Sequence, residues 1–344
     1  MPASSLVPSY QLFVGVDIAA ASATVCWKQA AERPSRPLTI PQTAEGYEQL
    51  QRQLLATGHP AQAVLVVLEA TGTYWVTLAT TLHQAGFAIS VINPAQAHDF
   101  AKALLKRSKS DAIDAQTLAE LGARLQPEPW TPPPAVYTEV SQRLLQREAL
   151  VELRQHVRNQ LHALSQQPVV IATVRARMIS LLETLASQIA EVEQELVLAL
   201  RQDDAWAAAA KRLQTITGVG MITTAWLLTS TLNFTLCETA EQAVGYAGLA
   251  PNERSSGTSV RGRKAIGHTG NGRFRRALYL ATLSGTRYNP VLKAFYERLR
   301  AAGKPPKVAR CAVARKLLHI AWAVVTKEQD FDPNHRQAAR AVSS

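Results

Sequence analysis

Cysteine is scarce in this 344-residue chain: Cys26, Cys237 and Cys311 lie far apart and form no CxxC pair. That excludes a disulfide framework and a zinc ribbon, and it fits a reducing compartment. Glycine (17) and proline (18) are too few for a fibrous or low-complexity chain, while 47% hydrophobic residues supply ample material for packed cores. Long hydrophobic runs are missing too. No stretch approaches the ~18 apolar residues of a membrane span, and residues 1–10 lack the basic start and apolar stretch of a secretory signal. The expectation is a soluble, cytoplasmic protein with no membrane partner.

Acid is what the last third lacks. The formal net charge of the whole chain is +11, and the excess is concentrated: residues 254–316 hold sixteen Lys and Arg against one acid, Glu297. Such a field attracts a polyanion. Within it, Arg254, Arg261, Arg263, Lys264, Arg273, Arg275 and Arg276 are the candidate nucleic-acid contacts, the arginines beside Gly262 suiting phosphate approach along a backbone. Acidic lipid is the weaker alternative, because no amphipathic membrane helix or lipidation signal accompanies the charge. Tyr279, Tyr288 and Tyr296 lie among these cations and can stack on bases, although their spacing also suits a helical core.

Hydrophobic patterning divides the chain. Residues 12–18 and 24–28 are rich in β-formers and separated by small residues, which predicts a hairpin, with a third strand at 38–40. A helix is predicted over 44–56, a strand buried on both faces over 63–68, a helix over 74–84, a strand over 88–92 and a helix over 95–105. The result is an α/β domain with a mixed sheet. Five prolines within residues 126–134 mark a linker. Beyond it, 138–166 and 174–200 read as two long helices packed antiparallel as a coiled coil, followed by a mostly α region of shorter helices. The expected division is an α/β domain at 1–130, a helical connector at 131–205, a C-terminal domain at 206–330 and a tail at 331–344.

Four carboxylates stand out by position. Asp17 ends one apolar strand, Glu69 ends another, and Asp111 and Asp114 are spaced i, i+3 on one face of a helix start. Each alone has an ordinary structural role: a turn cap, a helix entry, an acidic first turn that suits the helix dipole. Two separate apolar strands each ending in an acid make a shared purpose the better reading. Brought together, like charges about 4 Å apart repel by roughly 4 kcal/mol at an effective dielectric near 20. Such a cluster calls for cations, and hard oxygen ligands select Mg²⁺ or Mn²⁺.

At this point the sequence resembles a known family, the DEDD transposases of insertion sequence 110. The resemblance rests on Phe13-Val14-Gly15-Val16-Asp17-Ile18, on Leu68-Glu69-Ala70-Thr71-Gly72, and on Asn93-Pro94 followed by Lys109-Ser110-Asp111-Ala112-Ile113-Asp114-Ala115. It continues through Ile216-Thr217-Gly218-Val219-Gly220, Gly245-Tyr246-Ala247-Gly248-Leu249-Ala250-Pro251 and Ser255-Ser256-Gly257. The family pattern often carries Thr where Ser110 stands. The resemblance implies a RuvC-like, RNase H-fold domain with Asp17, Glu69, Asp111 and Asp114 as a metal-binding tetrad for Mg²⁺ or Mn²⁺. It also implies a serine nucleophile, Ser256 with Ser255 as the adjacent alternative, together with an element-encoded bridge RNA that selects donor and target double-stranded DNA. The expected assembly is a homo-oligomer, dimer or tetramer, in a bacterial cytoplasm and on the nucleoid when acting.

On composition alone the serines of 252–263 are surface-loop serines. Gly218 and Gly220, between two helices, resemble the turn of a helix-hairpin-helix, where backbone N–H groups can hold phosphate; tight helix packing explains them equally. Competing functions are a RuvC-like junction endonuclease with no covalent intermediate, a non-catalytic RNA- or DNA-binding protein, and an actin- or sugar-kinase-type nucleotide-binding module. The last needs a second Gly-rich phosphate loop, which the sequence does not contain.

Overall fold

The computed structural model describes residues 10–105, 110–252, 255–256, 260–261, 265–266 and 270–335. The chain forms two compact units, Met1–Pro132 and Pro133–Ser344.

The first unit is built on a five-stranded mixed sheet. Strands β1 (Leu12–Ile18), β2 (Ser22–Gln29), β3 (Leu38–Pro41), β4 (Val64–Glu69) and β5 (Ala88–Ile92) lie in the order β3-β2-β1-β4-β5. β1 pairs antiparallel with β2, and β2 with β3; β1 with β4, and β4 with β5, are parallel. Helices α1 (Ala44–Leu55), α2 (Trp75–Gln84), α3 (Pro94–Ala103) and α4 (Asp111–Leu125) complete it. Side-chain alternation sorts the strand residues onto two faces. Leu12, Val14, Val16, Val64, Val66 and Leu68 bury against Leu50, Leu54, Leu78 and Leu82 of α1 and α2. Phe13, Leu65 and Val67 bury on the opposite face with Leu118 and Leu121 of α4. Both central strands are therefore apolar until their last residues, as the continuous runs in the sequence predicted.

Close approach sets how α4 lies on the sheet. A Cβ on Gly15 would collide with the carbonyl oxygen of Ala115 and the amide nitrogen of Ala119; one on Gly122 would stand 2.9 Å from Val67 Cγ2. Glycine at both ends of the contact lets helix and strand backbones nearly touch. The helix starts where Ser110 caps it, accepting a hydrogen bond from the Ile113 amide. Lys28 on β2 adds a polar clamp, donating to Glu120 at 2.5 Å while only 7% exposed. Glu120 also accepts from Arg124, and its carboxyl is held below the usual range, chiefly by the Lys28 hydrogen bond.

The second unit begins with α5 (Ala135–Ser165) and α6 (Ala172–Leu200). Arg143 pairs with Glu195 and Arg147 with Glu193, a register that descends on one helix as it ascends on the other, so the two run antiparallel. Their roots, Val136, Val140 and Leu144 on α5 with Leu196, Ala199 and Leu200 on α6, enter the core of the helices that follow. Those are α7 (Asp204–Gln214), α8 (Met221–Thr231), α9 (Ala240–Tyr246), α10 (Gly272–Tyr288), α11 (Pro290–Ala301) and α12 (Pro306–Thr326). Between α9 and α10 the described residues include the two-residue strands β6 (Pro251–Asn252), β7 (Ser255–Ser256), β8 (Val260–Arg261) and β9 (Ala265–Ile266). Among the described residues, no helix is long and apolar enough to cross a membrane.

The helix–strand approach yields a stability prediction. Gly15→Ala must push α4 off β1, because both atoms nearest the new methyl belong to backbone. Overpacking of this kind costs about 1–3 kcal/mol. Chemical denaturation should show a loss of at least that size for Gly15→Ala, and almost none for Gly58→Ala beyond its positive-φ strain, since nothing lies within 4 Å of a Cβ there.

Candidate functional site

Strand register brings the first two carboxylates together. Val16 of β1 pairs with Leu68 of β4, so Asp17 and Glu69 follow as neighbours at the carboxyl ends of adjacent parallel strands, where strands lie roughly 4.8 Å apart. Both fall on the α4 face, two residues beyond Gly15 and Val67. Because α4 crosses β1 with Gly122 over Phe13 and with Ala115 and Ala119 over Gly15, its first turn, carrying Asp111 and Asp114, arrives at the end of β1. Asp17, Glu69 and Asp114 are half-buried and Asp111 is exposed.

Electrostatics records the convergence. The Asp17 carboxyl is pushed up to about 6, first by burial and then by the charges of Asp111, Asp114 and Glu69; only a hydrogen bond from the Ile18 amide pulls it down. The other three carboxylates thus all act on Asp17. Glu69 is oriented by Thr71, whose hydroxyl donates to Oε1 at 2.5 Å. Thr71 is a positioning residue absent from the candidates read in the sequence; the signal for it is its place two residues after the acid. Asn93 of the Asn-Pro pair caps α3, accepting from the Ala95 amide.

The four carboxylates offer hard oxygen donors, the donor chemistry that suits a divalent cation such as Mg²⁺ or Mn²⁺. Among the described residues, no three His, Cys, Asp or Glu side chains are gathered tightly enough to enclose an ion. The four share a neighbourhood through charge rather than through a closed coordination shell.

In the second unit, β6 pairs with β9 and β7 with β8, with Ser255 opposite Arg261 and Ser256 opposite Val260. Ser256 is accordingly the last residue of β7. Arg254, Arg263 and Lys264 lie outside the described residues. Arg273 and Arg276 are not free: both pair with Glu148 of α5, and Arg276 also with Glu152. Arg275 turns its guanidinium to the carbonyls of Ala247 and Gly248. These three cations brace α10 against its neighbours.

The two candidate turn glycines have different reasons to be glycine. Gly218 has φ +100° and lies against α10, where a Cβ would stand 2.7 Å from the Gly285 Cα. Ser284 and Asn289 donate to the carbonyls of Gly218 and Thr217, so this turn is packed into the helices. Gly220 precedes α8, and a Cβ there would meet nothing within 4 Å. Among the described residues no side chain caps α8, and the first-turn backbone donors of an uncapped helix are of the kind that can hold an anion.

The raised Asp17 has a pH signature. Its proton is held to about pH 6 in the folded chain but only to about 3.9 when unfolded. Between those values the folded state binds more protons, so the group's contribution to stability is full below the unfolded value and is lost as pH rises to about 6. In EDTA, Asp17→Asn should melt above the wild type at pH 7.5, and the gap should shrink on acidification towards pH 4. A gap independent of pH would show that Asp17 is not held protonated.

Comparison with known proteins gives the same assignment over most of the chain. Residues 14–167 match a family model described as a transposase, of the DEDD type of IS110, and residues 210–297 match one described as the IS116/IS110/IS902 transposase family. A pilin gene-inverting protein of Moraxella bovis is 28% identical over 323 residues, covering 93% of this chain and 97% of that one. The transposase for insertion sequence element IS1328 of Yersinia enterocolitica is 27% identical over 308 residues, covering 81% and 88%. An IS110 protein of Streptomyces coelicolor is 35% identical over 113 residues, covering 33% of this chain and 28% of that one. With its paired carboxylate strands, its capped acidic helix and these matches, the chain belongs to the IS110 family of transposases and recombinases, enzymes that act on DNA.

Proposed function

We propose that this chain cuts and rejoins DNA strands, with Asp17, Glu69, Asp111 and Asp114 holding Mg²⁺ or Mn²⁺ and with Ser256 as the nucleophile. The observation that carries the proposal is the action of the other three carboxylates on Asp17, since a cluster of that charge is unfavourable unless a cation completes it. An RNase H-like, RuvC-like reading of the first unit is supported by the mixed order β3-β2-β1-β4-β5, with both acids at the ends of its central parallel strands. The relative in Moraxella bovis is named for inverting a gene, and inversion is a reaction of the same cut-and-rejoin class.

Bound at the carboxylates, a divalent ion supplies Lewis-acid stabilisation of charge developing on a phosphodiester. The chain's own residues do the rest. Thr71 fixes the Glu69 carboxylate, and the Gly15 contact seats the Asp111 turn at the strand ends. The Ser256 hydroxyl attacks phosphorus, its proton leaving to a base or solvent. A phosphoserine ester forms as the bond to the departing sugar oxygen breaks. Water attack would release the strand end as a hydrolysed product, whereas the ester retains the phosphodiester's energy for rejoining to a new strand. The partners proposed are double-stranded donor and target DNA, an element-encoded bridge RNA that chooses them, and further copies of the chain in a dimer or tetramer.

Two variants separate this proposal from its rivals. Asp111→Asn should abolish strand cleavage with nucleic-acid affinity unchanged or higher, because a repulsive charge is removed. Ser256→Ala should eliminate protein–DNA adducts trapped under denaturing conditions, and Ser255→Ala should retain them. Adducts surviving Ser256→Ala but not Ser255→Ala place the nucleophile one residue earlier; cleavage by the wild type with no adduct at all indicates a metal nuclease of the junction-resolving kind.

A further inference from the structure

The charge of the C-terminal unit is not all used in bracing it. On the face made by α10, α11 and α12, a cavity of about 490 Å³ is lined by Leu283, Thr286, Arg287, Lys293 and Arg310. Three cations from three different helices converge there, and among the described residues no acid lines the space. Arg287, Lys293 and Arg310 make no ion pair among those residues, in contrast to Arg273 and Arg276 on the same α10. Glu297, the one acid in this stretch of sequence, stands a helical turn after Lys293 and pairs with none of the three. Three like charges gathered without a counter-charge repel one another unless an anion joins them.

A second feature belongs to one of the same three side chains. The Nε–H of Arg310 is buried and has no hydrogen-bond partner among the described residues. A buried donor left unmade costs free energy, and a guanidinium offers donors in a fixed fork that matches phosphate oxygens. The Arg310 guanidinium lies 6.0 Å from the centre of the Tyr296 ring, and that of Arg287 lies 5.8 Å from the centre of the Tyr288 ring, each at the outer range of a cation–π contact. The larger cavity of the unit, about 1190 Å³, differs in kind: Asp330 and Asp332 line it alongside Arg298, Arg315 and Lys316, so it carries both signs of charge.

We propose that Arg287, Lys293 and Arg310 form a phosphate-binding site that grips the backbone of a nucleic acid on the α10–α11–α12 face. This rests on the reading of the chain as a nucleic-acid enzyme and names a contact in it; none of the three residues is among the candidate contacts read from the sequence. The site takes one or two phosphates by charge and guanidinium geometry, independent of base sequence.

The test uses the full chain and two readouts. First, inorganic phosphate is titrated while the arginine Nε–Hε resonances are followed by NMR, Arg310 being assigned through Arg310→Lys. The Arg310 signal should shift and saturate, and Lys293→Gln, an exposed substitution that leaves the core untouched, should weaken the titration. Second, affinity is measured against salt for a DNA duplex and for a structured RNA, with wild type, Lys293→Gln and the triple Arg287→Gln/Lys293→Gln/Arg310→Gln. The slope of log K on log salt should flatten by about 0.9 for each duplex phosphate that is no longer neutralised, or about 0.7 if the strand is single. The nucleic acid whose slope changes is the one held. An Arg310 resonance indifferent to phosphate, together with full wild-type slopes in both variants, overturns the site while leaving the proposed function standing. A wild type that binds neither duplex nor RNA contradicts the proposed function instead, and a phosphate-induced Arg310 shift would then still support the anion pocket.

Discussion

The first unit depends on one close contact, the backbone of α4 lying on Gly15 of β1. A strand that is apolar on both faces can bury itself anywhere in a sheet; only the absence of a side chain at residue 15 lets this helix come so near. That approach fixes where the first turn of α4 lands. With Ser110 capping it, Asp111 and Asp114 are set beyond the ends of β1 and β4, and the Lys28–Glu120 pair holds the far part of the helix in register. Burying that pair is costly in itself, but it specifies one seating of α4. The carboxylate cluster is the product of this seating, and the raised Asp17 records its electrostatic cost.

Charge is handled oppositely in the two units. In the first, negative groups accumulate at the strand ends, a state that a divalent cation relieves. In the second, positive groups divide into two sets. Arg273, Arg275 and Arg276 are spent on Glu148, Glu152 and the carbonyls that follow α9. Arg287, Lys293 and Arg310 have no such partners among the described residues. A basic stretch of sequence therefore divides into cations with protein partners and cations without them among the described residues, and only the fold distinguishes the two sets.

Much of this was legible in the sequence because it was local. Strand runs ending in Asp17 and Glu69, and the Ser110-Asp111-x-x-Asp114 helix start, are short-range patterns, and every strand and helix read from the first 105 residues lies within a few residues of its expected place. The long helices also follow from periodicity. What escaped were pairings between distant residues. Lys28 and Glu120 are 92 positions apart and show no shared pattern. Gly15 reads as one more small residue until α4 is laid on it. Gly218 and Gly220 look alike in sequence, yet one is packed against Gly285 and the other faces open space. The phosphate site draws one cation from each of three helices, so no window of sequence contains it.

The central claim is that the four carboxylates exist to hold divalent cations. Water-proton relaxation during Mn²⁺ titration measures this directly and requires neither substrate nor turnover. Tight, saturable enhancement is predicted for the wild-type chain, with no more than two ions per chain. Asp17→Asn and Glu69→Gln should abolish that enhancement, while the equally acidic but unrelated Glu191→Gln keeps it. Binding that is weak, unsaturable and indifferent to all three substitutions, with nucleic acid present as well as absent, would contradict it.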